Sequence, residues 1–169
     1  MPGNGAHFLT ASPVNRSTPP PALGMKSMPN TCIDTNIWVY ALTRPRHGDD
    51  FRHKKAQAII TRSEPILITP QIVNEMGFVL KRKHGWIDSD LRPLIEQLQT
   101  RCIVHIPSSH WHLRALDLRI EKTFSYWDSL IVAAALEAEC DWLLSEDMQH
   151  RQVIDGRLTI INPFTVEST

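Results

Sequence analysis

Short, unbroken apolar runs separated by longer amphipathic segments constrain the fold of this chain most strongly. A strand that is covered on both faces reads as a continuous apolar run, whereas a strand with one wet face alternates. Strands that alternate with helices form parallel sheets. The sequence therefore predicts an α/β fold, an α/β/α sandwich around a central parallel sheet of four or five strands. The predicted strands are residues 31–34, 66–68, 103–106, 142–144 and 158–161.

Helix start and stop signals fall between these runs. Thr69 followed by Pro70 is typical of a helix start, and Ser125 three residues before Asp128 is an N-terminal capping pattern. Arg44-Pro45 ends a helix, because the residue before proline avoids helical geometry. The six predicted helices are residues 36–43, 49–62, 70–84, 88–99, 108–121 and 125–139.

The first 29 residues differ from the rest of the chain. They hold six of the 12 prolines and show no apolar periodicity. We therefore expect residues 1–29 to be a disordered N-terminal extension and residues 30–169 to form one domain, since 169 residues are too few for two comfortable ones.

Composition excludes several classes of protein. No apolar run approaches the roughly 20 residues of a membrane helix, and no secretory signal pattern is present. The three cysteines, Cys32, Cys102 and Cys140, form no CxxC pair, which favours buried thiols in a cytoplasmic protein. The formal net charge is +0, so a nucleic-acid partner would have to be held by local features.

Four acidic residues occupy positions that are unusual for surface charges. Asp34 and Asp147 each follow a predicted strand, Asp128 lies in the first turn of a predicted helix, and Glu75 shares the apolar face of another with Ile72. Each position alone has an ordinary explanation: a helix cap, a turn, the helix dipole, or a salt bridge.

Together these acids indicate a metal site, because the carboxyl ends of parallel strands meet at one edge of the sheet. Carboxylates about 4 Å apart repel by roughly 4 kcal/mol at an effective dielectric constant near 20, so a cluster needs protons or cations. Oxygen ligands favour Mg²⁺ or Mn²⁺, and such ions support phosphodiester hydrolysis.

The segments that carry these acids resemble the PIN-domain family, and most of all its VapC-type toxins of bacterial toxin–antitoxin pairs. The matching segments are CIDTNI (32–37), NE (74–75), YWDSLI (126–131) and LLSEDM (143–148). The likeness extends over about residues 30–164, including VIDG (153–156) and NPF (162–164). Ser129 departs from the family pattern, where alanine is expected.

The resemblance implies a ribonuclease that depends on Mg²⁺ or Mn²⁺, forms a homodimer and is inhibited by a small antitoxin. The family's catalytic acids carry over onto Asp34, Glu75, Asp128 and Asp147, with Asp34, Asp128 and Asp147 as metal ligands. Asn36 and Ser145 occupy positions where polar groups support these acids.

Three other interpretations remain open at this stage. The chain could be a PIN-type nuclease of RNA maturation or DNA processing, or a non-catalytic PIN-like module that binds RNA or protein. It could also be a Mg²⁺ phosphatase, although that chemistry usually places an acid two residues after the nucleophile, where Asn36 stands. The basic runs 52–55 and 81–84 could bind RNA phosphates or be solvated helix faces.

Overall fold

A computed structural model of the protein describes residues 30–44, 50–61 and 65–165. The expected N-terminal extension lies outside these residues. Within them the chain forms six strands: β1 Thr31–Ile33, β2 Ile66–Ile68, β3 Ile103–Val104, β4 Trp142–Leu144, β5 Val153–Ile154 and β6 Leu158–Ile161. The described helices are α1 Thr35–Leu42, α2 Asp50–Ile60, α3 Pro70–His84, α4 Asp88–Arg101, α5 Trp111–Lys122 and α6 Tyr126–Glu137.

The strands form one sheet in the order β3-β2-β1-β4-β6-β5. β1 lies at its centre and pairs in parallel with β2 on one side and β4 on the other. β3 and β6 extend the parallel sheet at either side. The predicted α/β fold with a central parallel sheet is therefore confirmed, and helices flank this sheet along the chain.

The sheet has one strand more than predicted. β5 pairs with β6 in the antiparallel direction, through a tight turn in which Asp155 and Gly156 have φ angles of 50° and 67°. A two-residue strand is too short to give an apolar pattern. The Asp-Gly turn was the available signal, because positive φ at both positions is typical of hairpin turns.

Capping residues explain where three helices begin. The Asp34 side chain accepts from the Thr35 N–H at the start of α1, Thr69 caps α3, and Ser125 caps α6. α3 ends at Gly85, whose φ of 71° suits glycine. These ends agree with the sequence signals.

α5 begins at Trp111 and not at Ser108, so the predicted start was wrong. The backbone N–H and hydroxyl of Ser108 both donate to the Glu137 carboxylate, at 2.6 and 2.9 Å. This tie to α6 holds residues 108–110 as a turn ahead of the helix.

The core lies between the sheet and its helices. Trp38 and Ile37 of α1 are fully buried, and every residue of α6 from Ser129 to Leu136 is buried. β3 departs from the expectation of fully buried strands, because Ile103 and Val104 at the sheet edge are exposed. All three cysteines are buried and unpaired, as predicted. No helix in the described ranges has the length and apolar content needed to cross a bilayer.

Candidate active site

A groove of about 1070 Å³ lies at the carboxyl edge of the sheet, and the four predicted acids line it. Asp34 follows the central strand β1, and Asp147 follows the neighbouring strand β4. Glu75 reaches the groove from α3, and Asp128 reaches it from the first turn of α6. The topology therefore brings together residues that are up to 113 positions apart in the sequence.

Asp34 is the most enclosed acid of this set, with 9% of its surface exposed. Its Oδ1 accepts from the Thr35 N–H at 2.6 Å, and its Oδ2 accepts from the Ser145 hydroxyl at 2.7 Å. Two donors from two different elements thus fix the orientation of the carboxylate. Asp34 therefore caps α1 and lines the groove at the same time.

Burial raises the pKa of the Asp34 carboxyl from 3.8 to about 6, because the ionised form loses hydration. The hydrogen bonds from Ser145 and Thr35 lower this pKa, while the charges of Asp147 and Asp128 raise it. The charges of Asp128 and Asp147 therefore act on Asp34, which indicates that the three carboxylates lie close enough to repel one another.

Asp147 is held by a side chain of α1 and by its own loop. The Asn36 amide donates to Asp147 Oδ2 at 2.6 Å, and the Asp147 N–H donates to the Ser145 hydroxyl oxygen at 3.2 Å. The fully buried Ser145 hydroxyl donates to Asp34 and accepts from the Asp147 N–H, and it therefore links these two residues. Asn36 and Ser145 thus contact the acids that they were predicted to support.

Glu75 is tied to α1 through a residue that sequence reasoning missed. The Thr35 hydroxyl donates to Glu75 Oε2 at 2.8 Å. Glu75 is half-buried, whereas its helix neighbours Ile72 and Met76 are buried in the core. The expectation that Glu75 lies along an apolar helix face is consistent with this placement, although its head group reaches the groove.

Asp128 is oriented by the cap of its own helix. The Ser125 hydroxyl donates to Asp128 Oδ2 at 2.6 Å, and the Asp128 N–H donates to Ser125 Oγ at 3.1 Å. This reciprocal pair fixes the first turn of α6 and directs the carboxylate at the same time.

The loop that carries Asp147 is braced by a second set of contacts. The Tyr40 hydroxyl donates to Glu146 Oε1 at 2.5 Å, and the Arg52 side chain lies 3.4 Å from Glu146 Oε2. Burial, and then the Glu146 carboxylate, raise the pKa of Tyr40 to about 12, so its hydroxyl stays a donor. The sequence gives no signal of these contacts, because they join α1, α2 and the loop only after folding.

The donors present fit a hard divalent cation. Hydrogen bonds engage Oδ2 of both Asp128 and Asp147, so within the described chain Oδ1 of each can face an ion. Among the described residues no three acidic, imidazole or thiol groups already form a closed ligand set. Asp34, Asp128 and Asp147 are the carboxylates of the groove that could hold an ion, and each is oriented by one or two hydrogen bonds.

Sequence comparison assigns the family. The profile described as PIN domain matches residues 31–155, which include the groove-lining acids. The chain therefore belongs to the PIN domain family. No curated protein sequence matches it significantly.

Solved structures with low sequence identity share the fold. A toxin–antitoxin complex from Klebsiella pneumoniae has a TM-score of 0.58 at 18% identity, covering 81% of this chain and 100% of that one. VapC20 of Mycobacterium tuberculosis, a toxin that cleaves the sarcin–ricin loop, has a TM-score of 0.53 at 16% identity over 68% of this chain and 87% of its own. VapBC2 from Rickettsia felis, bound to a promoter DNA fragment, has a TM-score of 0.52 at 20% identity, covering 78% and 98%.

Proposed function

We propose that this protein is a Mg²⁺- or Mn²⁺-dependent endoribonuclease and the toxin of a toxin–antitoxin pair. One observation carries the nuclease proposal: Asp34, Glu75, Asp128 and Asp147 line a single open groove at the carboxyl edge of a parallel sheet. Ligands in open α/β sheets bind at this edge. Carboxylates that lie close together at this edge repel one another, and a bound cation would offset this repulsion.

We assign a role to each residue of the groove from its contacts. Asp34, Asp128 and Asp147 would hold the ion, and Ser145 and Asn36 keep the carboxylates of Asp34 and Asp147 in place. A bound ion would supply an activated water and neutralise phosphate charge. Glu75, oriented by the Thr35 hydroxyl, would accept a proton from the attacking water or orient it.

The proposed partners follow from the similar structures and from the surface. Two of the three similar structures are toxin–antitoxin complexes, which supports a small antitoxin as the partner of this chain. Leu113, Leu116 and Ile120 form an exposed apolar stripe along α5, which supports a homodimer. RNA as the substrate is supported by the family and by one similar protein, VapC20 of Mycobacterium tuberculosis, a toxin that cleaves the sarcin–ricin loop.

The decisive experiment measures cleavage of labelled single-stranded RNA, single-stranded DNA and duplex DNA with Mg²⁺, with Mn²⁺ and with excess EDTA. We expect cleavage of RNA only, and only with metal. Asp34→Asn, Asp128→Asn, Asp147→Asn and Glu75→Gln should each lower kcat/KM by more than about a hundredfold, because each removes a ligand or the base. Asp117→Asn, at an exposed acid of α5, is the matched control and should match the wild type.

The outcomes separate the alternatives. Preferential cleavage of DNA would favour the DNA-processing interpretation. Binding of RNA without cleavage under any metal would favour a non-catalytic module. Full cleavage in EDTA, or wild-type rates in the four site variants, would refute the metal-dependent mechanism.

A further inference from the structure

The groove continues from the carboxylates onto an apolar wall that the proposed mechanism does not use. Phe78 of α3, Ile106 after β3 and Trp127 of α6 line it, with 61%, 76% and 60% of their surfaces exposed. Large apolar side chains that are this exposed, and that share one concave surface, mark a binding site more often than a bare surface. We call these three residues the apolar wall.

The charge around the apolar wall disfavours contact with an RNA backbone at Trp127. None of the described residues that line the groove is lysine or arginine, and His112 is its only side chain that can become cationic. Of the basic residues at the end of α3, Arg82 lies over the Phe78 ring, with its guanidinium carbon 5.6 Å from the ring centroid, although neither these residues nor those of α2 line the groove. Phosphates are held mainly by lysine and arginine, so an RNA backbone would meet a cation beside Phe78, whereas beside Trp127 it would meet acids and no lysine or arginine of the groove lining.

We propose that the apolar wall binds an unpaired base of the RNA strand, next to the bond that is cut, with Trp127 as the stacking surface. This inference rests on the proposed ribonuclease function. Bases stack on aromatic side chains in sequence-tolerant recognition of single strands, and this contact requires no cation. The phosphate at the cut would meet the metal, while the neighbouring base would turn into the groove.

Trp127 is placed for this role by its neighbours. It directly precedes Asp128, so the stacking surface and a proposed metal ligand share the first turn of α6. The Gln71 amide donates to the Trp127 carbonyl at 3.3 Å and ties this turn to α3. The Tyr126 ring meets the indole edge-on, with centroids 6.0 Å apart. A held backbone and a supported ring reduce the entropy that is lost when a base binds.

Polar groups on the same groove suit the edge of a base. Asn74 and Ser109 line it and offer an amide and a hydroxyl beside the apolar surface. A base in this position must leave its helical stack, so a duplex would not fit. The inference therefore predicts selectivity for unpaired RNA at the cut site.

The test compares Trp127→Ala, Trp127→Phe and the wild type. Phe51→Ala is the matched control, because Phe51 is an exposed aromatic residue of α2 that does not line the groove. Two substrates are used: a single-stranded RNA whose cut site has been mapped with the wild type, and the same RNA with a stable abasic analogue beside that cut. Steady-state kinetics with Mg²⁺ give kcat and KM for each pair.

On intact RNA, Trp127→Ala should raise KM roughly ten- to hundredfold with little change in kcat, because stacking contributes to binding before and during the reaction. Trp127→Phe should recover most of the loss, and Phe51→Ala should match the wild type. On the abasic RNA, Trp127→Ala and the wild type should have equal kcat/KM. Circular dichroism and melting curves exclude misfolding as the cause.

Equal kcat/KM of wild type and Trp127→Ala on intact RNA would overturn the inference while leaving the ribonuclease proposal standing. So would a loss in Trp127→Ala that is as large on abasic as on intact RNA. If Trp127→Ala instead weakens only binding of a protein inhibitor, the wall is a protein-docking surface. If the wild type cleaves nothing, the ribonuclease proposal fails. In that case, equal affinities of the wild type and Trp127→Ala for single-stranded RNA would overturn the inference as well.

Discussion

Asp34 shows how one side chain can serve local structure and site chemistry at the same time. Its carboxylate caps α1 and accepts a hydrogen bond from buried Ser145, yet burial and two neighbouring acids penalise its charge. Without a cation, the folded state therefore binds a proton at Asp34 more tightly than the unfolded chain does. The metal-free protein should be less stable when this residue is ionised.

The expected sign follows from the pKa of about 6 in the folded state against 3.8 for an unperturbed aspartate. The stability that Asp34 contributes is fully present below about pH 4 and is lost as pH rises through about 6, by an amount on the order of 3 kcal/mol. Asp34→Asn cannot ionise and should lack this loss. Urea unfolding in EDTA between pH 4 and pH 7 gives the free energy of unfolding of the wild type and of Asp34→Asn. The difference between the two isolates the effect of Asp34, because all other ionisable groups are common to both proteins. A wild-type-to-variant difference that does not change with pH would contradict the assignment.

The residues of the site differ in how far the sequence could reveal them. Asp34, Asp128 and Asp147 stood out because each lies at a strand end or a helix start, and the topology brings such ends together. Thr35 gave no such signal. Its hydroxyl meets Glu75 40 positions away, and that contact depends on how α1 packs on α3.

At the scale of elements, α6 combines a buried body with a functional first turn. Residues 129–136 are buried, so the helix can move little, and Ser125 fixes the turn that carries Asp128. The Ser125 cap therefore fixes Asp128 to a helix whose following residues are packed in the core.

We expect Ser125→Ala to lower the free energy of unfolding by about 1 kcal/mol, the usual effect of losing a serine cap. It should also lower kcat of RNA cleavage about tenfold, because Asp128 loses its hydrogen bond and its fixed orientation. Ser125→Thr keeps a hydroxyl and should retain most of both properties. Chemical unfolding and single-turnover kinetics measure the two effects. A stability loss with unchanged kinetics would show that the cap does not position Asp128.

Elements with a long periodic pattern, a clear cap or a continuous apolar run were predicted well, whereas β5 and the start of α5 were not. α3 ends at His84 as expected, because Gly85 and the basic last turn mark its end. β5 was missed because its partner is set by a turn, and the start of α5 was misplaced because Ser108 binds Glu137 of α6. A local hairpin turn decided the first case, and a contact between distant elements decided the second.

At the scale of the whole molecule, two surfaces within the described part of the chain carry the proposed function. One is the acidic groove, and the other is the apolar stripe of Leu113, Leu116 and Ile120 on α5. Sequence patterns predicted the α/β architecture that creates both. They could not show which exposed apolar residues lie together, because exposure depends on the packing of all the layers.

If the protein is the toxin of a pair, its expression alone should arrest bacterial growth, and coexpression of the small protein encoded beside it should relieve the arrest. The physical reason lies in the groove, where an arginine of the partner could pair with two carboxylate oxygens at once and exclude the metal ion. Such a contact is partly buried, so the inhibited complex should survive moderate salt.

The comparison uses cells that express the wild type, Asp34→Asn, or the wild type with its neighbour, with immunoblots to show equal protein levels. Only the wild type alone should arrest growth, since Asp34→Asn loses a proposed metal ligand. The purified variant should still bind the partner, though more weakly, because Glu75, Asp128 and Asp147 remain in the groove. Arrest by both proteins would indicate toxicity without catalysis. Equal growth in all three cultures would contradict the toxin proposal and favour a role in RNA maturation, because a nuclease that leaves growth unaffected needs no inhibitor.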